Sequence, residues 1–220
     1  MDKQLLWLLA FLAFLGVLIG ATVLLHKWLR LTNEQSRKFL HVSGGFLCLL
    51  LPSVFQSHWW VLALAMAAFL ILLYTFLRKM LPSIHETRRY SIGSVLFPLP
   101  VYGCFLAAEL NHQDIFFYLP VSLLAISDTA AEFGGAAWGA KTRSFFHGQK
   151  SLAGTLCFFF TAILVTAGWL YFRTDGSAMH ILLIGGLIVL LATAAELVTL
   201  HGWDNLTVPA VTVICLQLTT

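Results

Sequence analysis

Four carboxylates stand in or beside stretches that otherwise read as hydrocarbon. Asp128 and Glu132 interrupt one long apolar run, Glu196 sits in another, and Asp204 follows soon after it. A carboxylate deep in a bilayer costs roughly 2.5–3.5 kcal/mol on insertion scales, so it persists where it pairs, binds a cation or lines a water-filled cavity. Asp128 and Glu132 are four residues apart and share one helix face. Two like charges there repel unless a cation lies between them, and hard oxygen ligands at that spacing suit Mg2+. The plainer alternative is a pair of carboxylates matched to a nearby Lys or Arg. Lys150-Ser151-Leu152-Ala153-Gly154-Thr155 opens a further apolar run. A lysine, a hydroxyl and a glycine at a helix start form a ready phosphate site, because the first N–H groups are free and the helix dipole is positive there. It is not a Walker A loop, since the preceding glycine pattern is absent.

The elements that must position these groups are membrane helices. The chain has 220 residues, of which 59% are hydrophobic and 10% charged. A soluble domain carries about 25% charged residues, so this composition excludes an ordinary soluble globule. A helix crossing the roughly 30 Å hydrocarbon layer takes about 20 residues. Candidate spans run over 5–25, 39–55, 59–77, 92–108, 115–137, 152–172 and 179–200, with a short last one over 206–218. The expected fold is all-α, a polytopic bundle of seven or eight transmembrane helices forming one domain over residues 1–220. The first run is too long for the apolar core of a signal peptide and is read as the first helix. The four cysteines share no metal-ligand spacing and read as small buried hydrophobes. Apart from His41, the histidines show no repeated ligand spacing either.

Eleven of the thirteen basic residues fall in alternate loops, namely Lys27, Arg30, Arg37 and Lys38, then Arg78, Lys79, Arg88 and Arg89, then Lys141, Arg143 and Lys150. Loops rich in Lys and Arg stay cytoplasmic, which predicts an outside N-terminus. The fifth and seventh spans then run inward. Asp128 and Glu196 lie toward the cytoplasmic ends of these spans, and Asp204 follows in the next inner loop. The starts of spans two, four, six and eight face the same side, with Ser43-Gly44-Gly45, Ser91-Ile92-Gly93-Ser94, the Lys150 segment and Asp204-Asn205 near them. All the costly polar chemistry is therefore expected at one face.

At these residues the sequence resembles a known family. Asp128-x-x-Ala131-x-x-x-Gly135-x-x-x-Gly139, then Gln149-Lys150-Ser151-Leu152-Ala153-Gly154-Thr155, is similar to the signature of CTP-dependent membrane lipid kinases and CDP-diacylglycerol synthases. Arg37-Lys38-Phe39-Leu40-His41 resembles an early element of phytol, farnesol and dolichol kinases. Arg89-Tyr90-Ser91-Ile92-Gly93-Ser94-Val95-Leu96-Phe97-Pro98 resembles their middle element. Glu196 and Asp204-Asn205-Leu206-Thr207-Val208-Pro209 resemble the closing one. The resemblance implies a polyprenol kinase using CTP and Mg2+. On that reading Asp128, Lys150 and Asp204 are catalytic, and Asp128, Glu132, Glu196 and Asp204 form the metal set. Arg37, Lys38, His41, Gly135, Gly139, Lys141, Ser151, Gly154, Thr155 and Asn205 bind nucleotide. The partners implied are an isoprenoid alcohol and a nucleotide, with no nucleic acid, and self-association stays open. A cytidylyltransferase making a CDP-activated lipid from a lipid phosphate would use the same site. A transporter would instead want polar groups near the midplane and on both faces.

Overall fold

The computed structural model describes residues 2–85, 91–145, 150–173 and 178–219. Helix α1, Lys3–Trp28, starts where the Asp2 carboxylate accepts from the Gln4 N–H. Helix α2, Asn33–Cys48, starts at a reciprocal capping box: Thr32 accepts from the Gln35 N–H, and Gln35 accepts from the Thr32 N–H. A short turn of helix, α3 (Leu51–Val54), carries Pro52, and α4 runs over His58–Leu77. Two more short turns, α5 (Pro82–His85) and α6 (Gly93–Leu96), precede α7, Pro98–Asn111. The central crossing is built from α8 (Ile115–Ser122), a π-helical stretch (Leu123–Ser127) and α9 (Asp128–Trp138). After a 3-10 turn at Gly139–Lys141, strands β1 (Ser144–Phe145) and β2 (Lys150–Ser151) pair antiparallel. The chain closes with α10 (Leu152–Arg173), α11 (Ala178–Val198) and α12 (Asp204–Thr219).

Among the described residues, six helices are long and apolar enough to cross a membrane: Lys3–Trp28, His58–Leu77, Gly93–Asn111, Ile115–Trp138, Leu152–Arg173 and Ile181–Val198. The all-α polytopic bundle expected from the sequence is therefore the fold. Of the eight expected spans the second differs, while the last is short as expected. Helices α2 and α12 have 16 residues each, about 24 Å at 1.5 Å per residue, and fall short of a full crossing. The expected second span, 39–55, is shifted, because Thr32 starts the helix early and the chain breaks before Pro52.

Ile115–Trp138 is 83% buried over its span window, against 11% for Lys3–Trp28. The former is the bundle's central helix and the latter an outer one. Outward faces carry Phe14, Leu70, Leu164 and Leu190, all exposed. Water would not tolerate so many large apolar side chains in continuous patches, and lipid does. The core is aromatic and aliphatic, with Phe116, Phe117 and Phe158 wholly buried. Helix α9 packs on α10, α10 on α11, and α11 on α12, while α1, α2, α4 and α7 form the other side.

The π-helical stretch decides where the acidic residues face. The N–H of Asp128 bonds back to the carbonyl of Leu123, five residues earlier. The carbonyl of Leu124 instead accepts from His41 Nε2 at 2.9 Å. Helix α2 lies close against this stretch. A Cβ on Gly45 would meet the Ala125 Cβ at 2.5 Å. Gly45→Leu should therefore destabilise the protein by about 1–3 kcal/mol through overpacking. Gly168→Ala, which meets nothing within 4 Å, should be neutral or stabilising. Thermal unfolding in detergent compares the two.

Candidate active site

The first turns of α2 bring cations against the first turns of α9, on the side of the bundle where α11 ends and α12 begins. Arg37 Nη2 lies 2.9 Å from Glu132 Oε2. Lys38 Nζ bridges Asp128 Oδ2 at 2.7 Å and Glu132 Oε2 at 2.8 Å. Across the site, Lys150 Nζ on β2 bridges Glu196 Oε1 at 2.6 Å and Asp204 Oδ2 at 3.0 Å. The expected cluster of acids is thus two pairs, each closed on a lysine. Lys38, Asp128 and Glu196 are all buried. An ion pair in such surroundings is stable only while both members are present.

The two halves sense each other. Burial alone would lower the Lys150 ammonium, but Asp204 and Glu196 override it, with help from Asp128, and hold it above its ordinary value. Burial and then the charge of Asp128 push the Asp204 carboxyl up, against the pull of Lys150. Asp128, Lys150 and Asp204 line one cavity of about 790 Å³, together with Arg37, Lys38, His41, Glu132 and Glu196. Gly135, Gly139, Ser151, Gly154, Thr155 and Asn205 line it as well. The side chain of Lys141 lies outside the described residues, as do Arg88, Arg89, Tyr90 and Gln149.

Several residues have structural duties that the sequence did not reveal. His41 donates to the Leu124 carbonyl, sits 3.8 Å from Asp128 Oδ2 and packs edge-on against Phe97. It orients the acidic helix. At the start of α10, some of the N–H groups expected to be free for phosphate already have partners. Leu152 N–H donates to the Arg143 carbonyl, Ala153 N–H to Thr142 Oγ1, and Gly154 N–H to Ser151 Oγ. These donors are already engaged by the hairpin that carries Lys150. Gly139 and Gly154 serve close packing, since a Cβ on Gly139 would meet Ser151 Oγ at 3.0 Å and one on Gly154 the Ala131 carbonyl at 2.8 Å.

Two motifs read as separate in the sequence prove to be one contact. Ile92 N–H donates to the His201 carbonyl at 2.9 Å, and a Cβ on Gly93 would meet Asn205 Nδ2 at 2.6 Å. Gly202 makes the turn, with φ at +88° and its backbone against Gly93. Arg37 Nη1 donates to Ser91 Oγ at 3.3 Å. The His201-Gly202 turn has no sequence signal beyond the glycine itself.

Among the described residues, three buried polar atoms on the cavity wall have no hydrogen-bond partner: Arg37 Nε, Thr155 Oγ1 and Glu196 Oε2. Buried polar groups are almost always paired, so such atoms point to a ligand. An orphan guanidinium donor and a hydroxyl suit phosphate oxygens, and an orphan carboxylate oxygen suits a hard cation. The four carboxylates therefore fit Mg2+ in chemical type. Among the described residues no three His, Cys, Asp or Glu gather into a ready metal cage. A cation here would need carboxylates that the lysines now hold.

The sequence profile of the Cytidylyltransferase family matches residues 4–199. The chain belongs to this family. The match runs from the first helix to the end of α11, so the acidic and basic residues up to Glu196 lie inside it, while Asp204 and Asn205 lie just beyond. Among curated relatives, the chain is similar to a phytol kinase of Synechocystis sp., 27% identical over 209 residues, covering 93% of this chain and 88% of that one. No solved structure gives a significant match.

Lys38→Met leaves Asp128 buried against its apolar neighbours without its main cation. It should destabilise the protein by about 3–5 kcal/mol, as removal of one partner from a buried pair does. Adding Asp128→Asn should recover part of that loss. Thermal unfolding of single and double variants in the same detergent measures the coupling.

Proposed function

We infer that the protein is a CTP-dependent kinase that phosphorylates the hydroxyl of an isoprenoid alcohol. The observation that carries this reading is one cavity lined at one end by Asp128, Lys150 and Asp204 and farther in by apolar side chains. A water-soluble anion and a lipid can meet there. The similarity to a phytol kinase over nearly the whole chain supports the same reaction class. The alternation of basic loops supports a cytoplasmic site and an outside N-terminus.

Phosphoryl transfer needs positioning and charge neutralisation more than covalent help. The lipid oxygen forms a bond to the γ-phosphorus of CTP, the bond from that phosphorus to the β–γ bridging oxygen breaks, and CDP leaves. Arg37 and Lys150, with the Thr155 hydroxyl, hold phosphate oxygens against the spread of negative charge. Lys38 steers the nucleotide and keeps Asp128 in place. Asp128 or Asp204 takes the hydroxyl proton. Asn205, fixed beside Gly93, orients a phosphate oxygen. Asp128 and Asp204 would hold Mg2+, with Glu196 offering its unpaired oxygen and Glu132 in a lesser role, and the ion would neutralise charge on the β- and γ-phosphates. Gly135, Gly139, Ser151 and Gly154 shape the wall on which the nucleotide lies.

The family's description as cytidylyltransferases favours a second reading, in which CMP would be joined to a lipid phosphate with release of pyrophosphate. Purified protein incubated with labelled CTP, Mg2+ and a panel of prenols and lipid phosphates separates the two. The kinase releases CDP with a prenyl phosphate, and pyrophosphate with a CDP-lipid overturns it. Asp128→Asn and Lys150→Ala should each lower turnover at least 100-fold while the protein stays folded in detergent. Near-normal turnover in both removes these assignments.

A further inference from the structure

The cavity does not end at the charged residues. One face of α2 reads Arg37, Lys38, His41, then Gly44, Leu47 and Cys48, and all six line it. The same cavity is walled by Val61, Leu64, Ala65, Ala68 and Leu72, which recur on one face of α4 at helical spacing. Phe97 and Val101 close the third side, and Phe11 and Leu15 of α1 the fourth. At the far end, Leu51 and Val61 are each 1% exposed and pack in a cluster with Phe55, Phe105 and Phe117. The apolar arm is therefore blind rather than open to the surrounding lipid at its tip.

We propose that this arm is the binding site for the tail of the lipid alcohol and that its blind end limits the tail's length to a short prenyl chain. The inference rests on the kinase reading and adds the class of acceptor. Three observations carry it. The arm is continuous with the charged end, so an occupant that reaches the phosphates must lay its remainder along it. Among the described residues, those that α1, α4 and α7 contribute to it are apolar apart from the α7-side residues nearest the charged end, which disfavours a second polar headgroup. Ala65 and Ala68 give α4 a shallow wall, leaving room for the methyl branches of an isoprenoid. Leu72 lies eleven positions beyond Val61 along α4, an advance of about 16 Å at 1.5 Å per residue. Carbon–carbon bonds of about 1.5 Å zigzag along a chain, so this depth takes roughly a dozen or more main-chain carbons. Farnesol and phytol match that length. A polyprenol of many units would have to leave through the packed floor.

The test is a chain-length profile. The protein is assayed with CTP, Mg2+, and geraniol, farnesol, phytol and a long polyprenol in detergent micelles, reading kcat/KM for each. Farnesol and phytol should exceed the long polyprenol at least tenfold. Ala65→Phe, which fills the arm midway, should shift the ratio of geraniol to phytol at least tenfold toward geraniol. Phe11→Ala, which removes the ring packed on Phe55 at the closed end, should shift it the other way. Leu70→Phe on the exposed face of α4 should leave the profile unchanged. Equal profiles in wild type and both chamber variants overturn the proposal, as does a long polyprenol used as well as phytol. Binding is read separately, with a prenol carrying a photoreactive group at its tail end. It should label peptides containing Phe11, Leu51 or Val61, in competition with farnesol. Competed labelling without turnover of any prenol keeps the tail site and removes the kinase reading. Turnover without such labelling, or labelling competed better by a diacylglycerol, removes the tail site as proposed.

Discussion

Charge in a low-dielectric interior must be matched locally, and this bundle is organised around that demand. Four carboxylates lie at one end of the helices, and each is held by a basic side chain from a distant part of the chain. Lys38 ties α2 to the central helix, and Lys150 ties the β-hairpin to α11 and α12. Neither α2 nor α12 is long enough to be a full crossing in its own right. Ion pairing and packing against the central helix hold their ends at the site.

The same pairing has a chemical side. The lysines neutralise carboxylates before any ligand arrives, so the site can fold without one. On the proposed function, an arriving triphosphate would bring negative charge for Arg37, Lys38 and Lys150, and a cation would bring positive charge for the acids they release. Exchange of partners, rather than creation of new charges, is what such a site asks of its ligands. This keeps the desolvation cost of binding low, because the groups involved have already left water.

Much of this was legible in the sequence. Alternating basic loops and long apolar runs gave the bundle, and carboxylates in apolar surroundings marked the site at one end. That Asp128, Lys150 and Asp204 line the same cavity follows from helix direction, which basic-loop alternation reports. Less legible were the features set by long-range contacts. Which lysine closes on which carboxylate depends on the rotation of α2 against α9, and periodicity of a mostly apolar helix does not encode that rotation. The early start of α2 was written in Thr32 and Gln35, yet the apolar run beginning at Phe39 drew the boundary inward. The engaged N–H groups of α10 depend on Thr142 and Arg143 folding back across a two-residue strand pair, too short for an alternating pattern to register. The apolar arm is assembled from α1, α2, α4 and α7, and no single segment announces it.

The π-helical stretch before Asp128 holds one residue more than the α-helical turns around it. Each added residue turns the chain by about 100° relative to an uninterrupted helix. The acidic residues of α9 that face α2 are therefore rotated away from where an uninterrupted continuation of α8 would place them. The extra residue acts as a permanent twist in the scaffold: it lets one rod be greasy all round at one level and present acids to one side at the next, with His41 fastened to the carbonyl that the twist sets free.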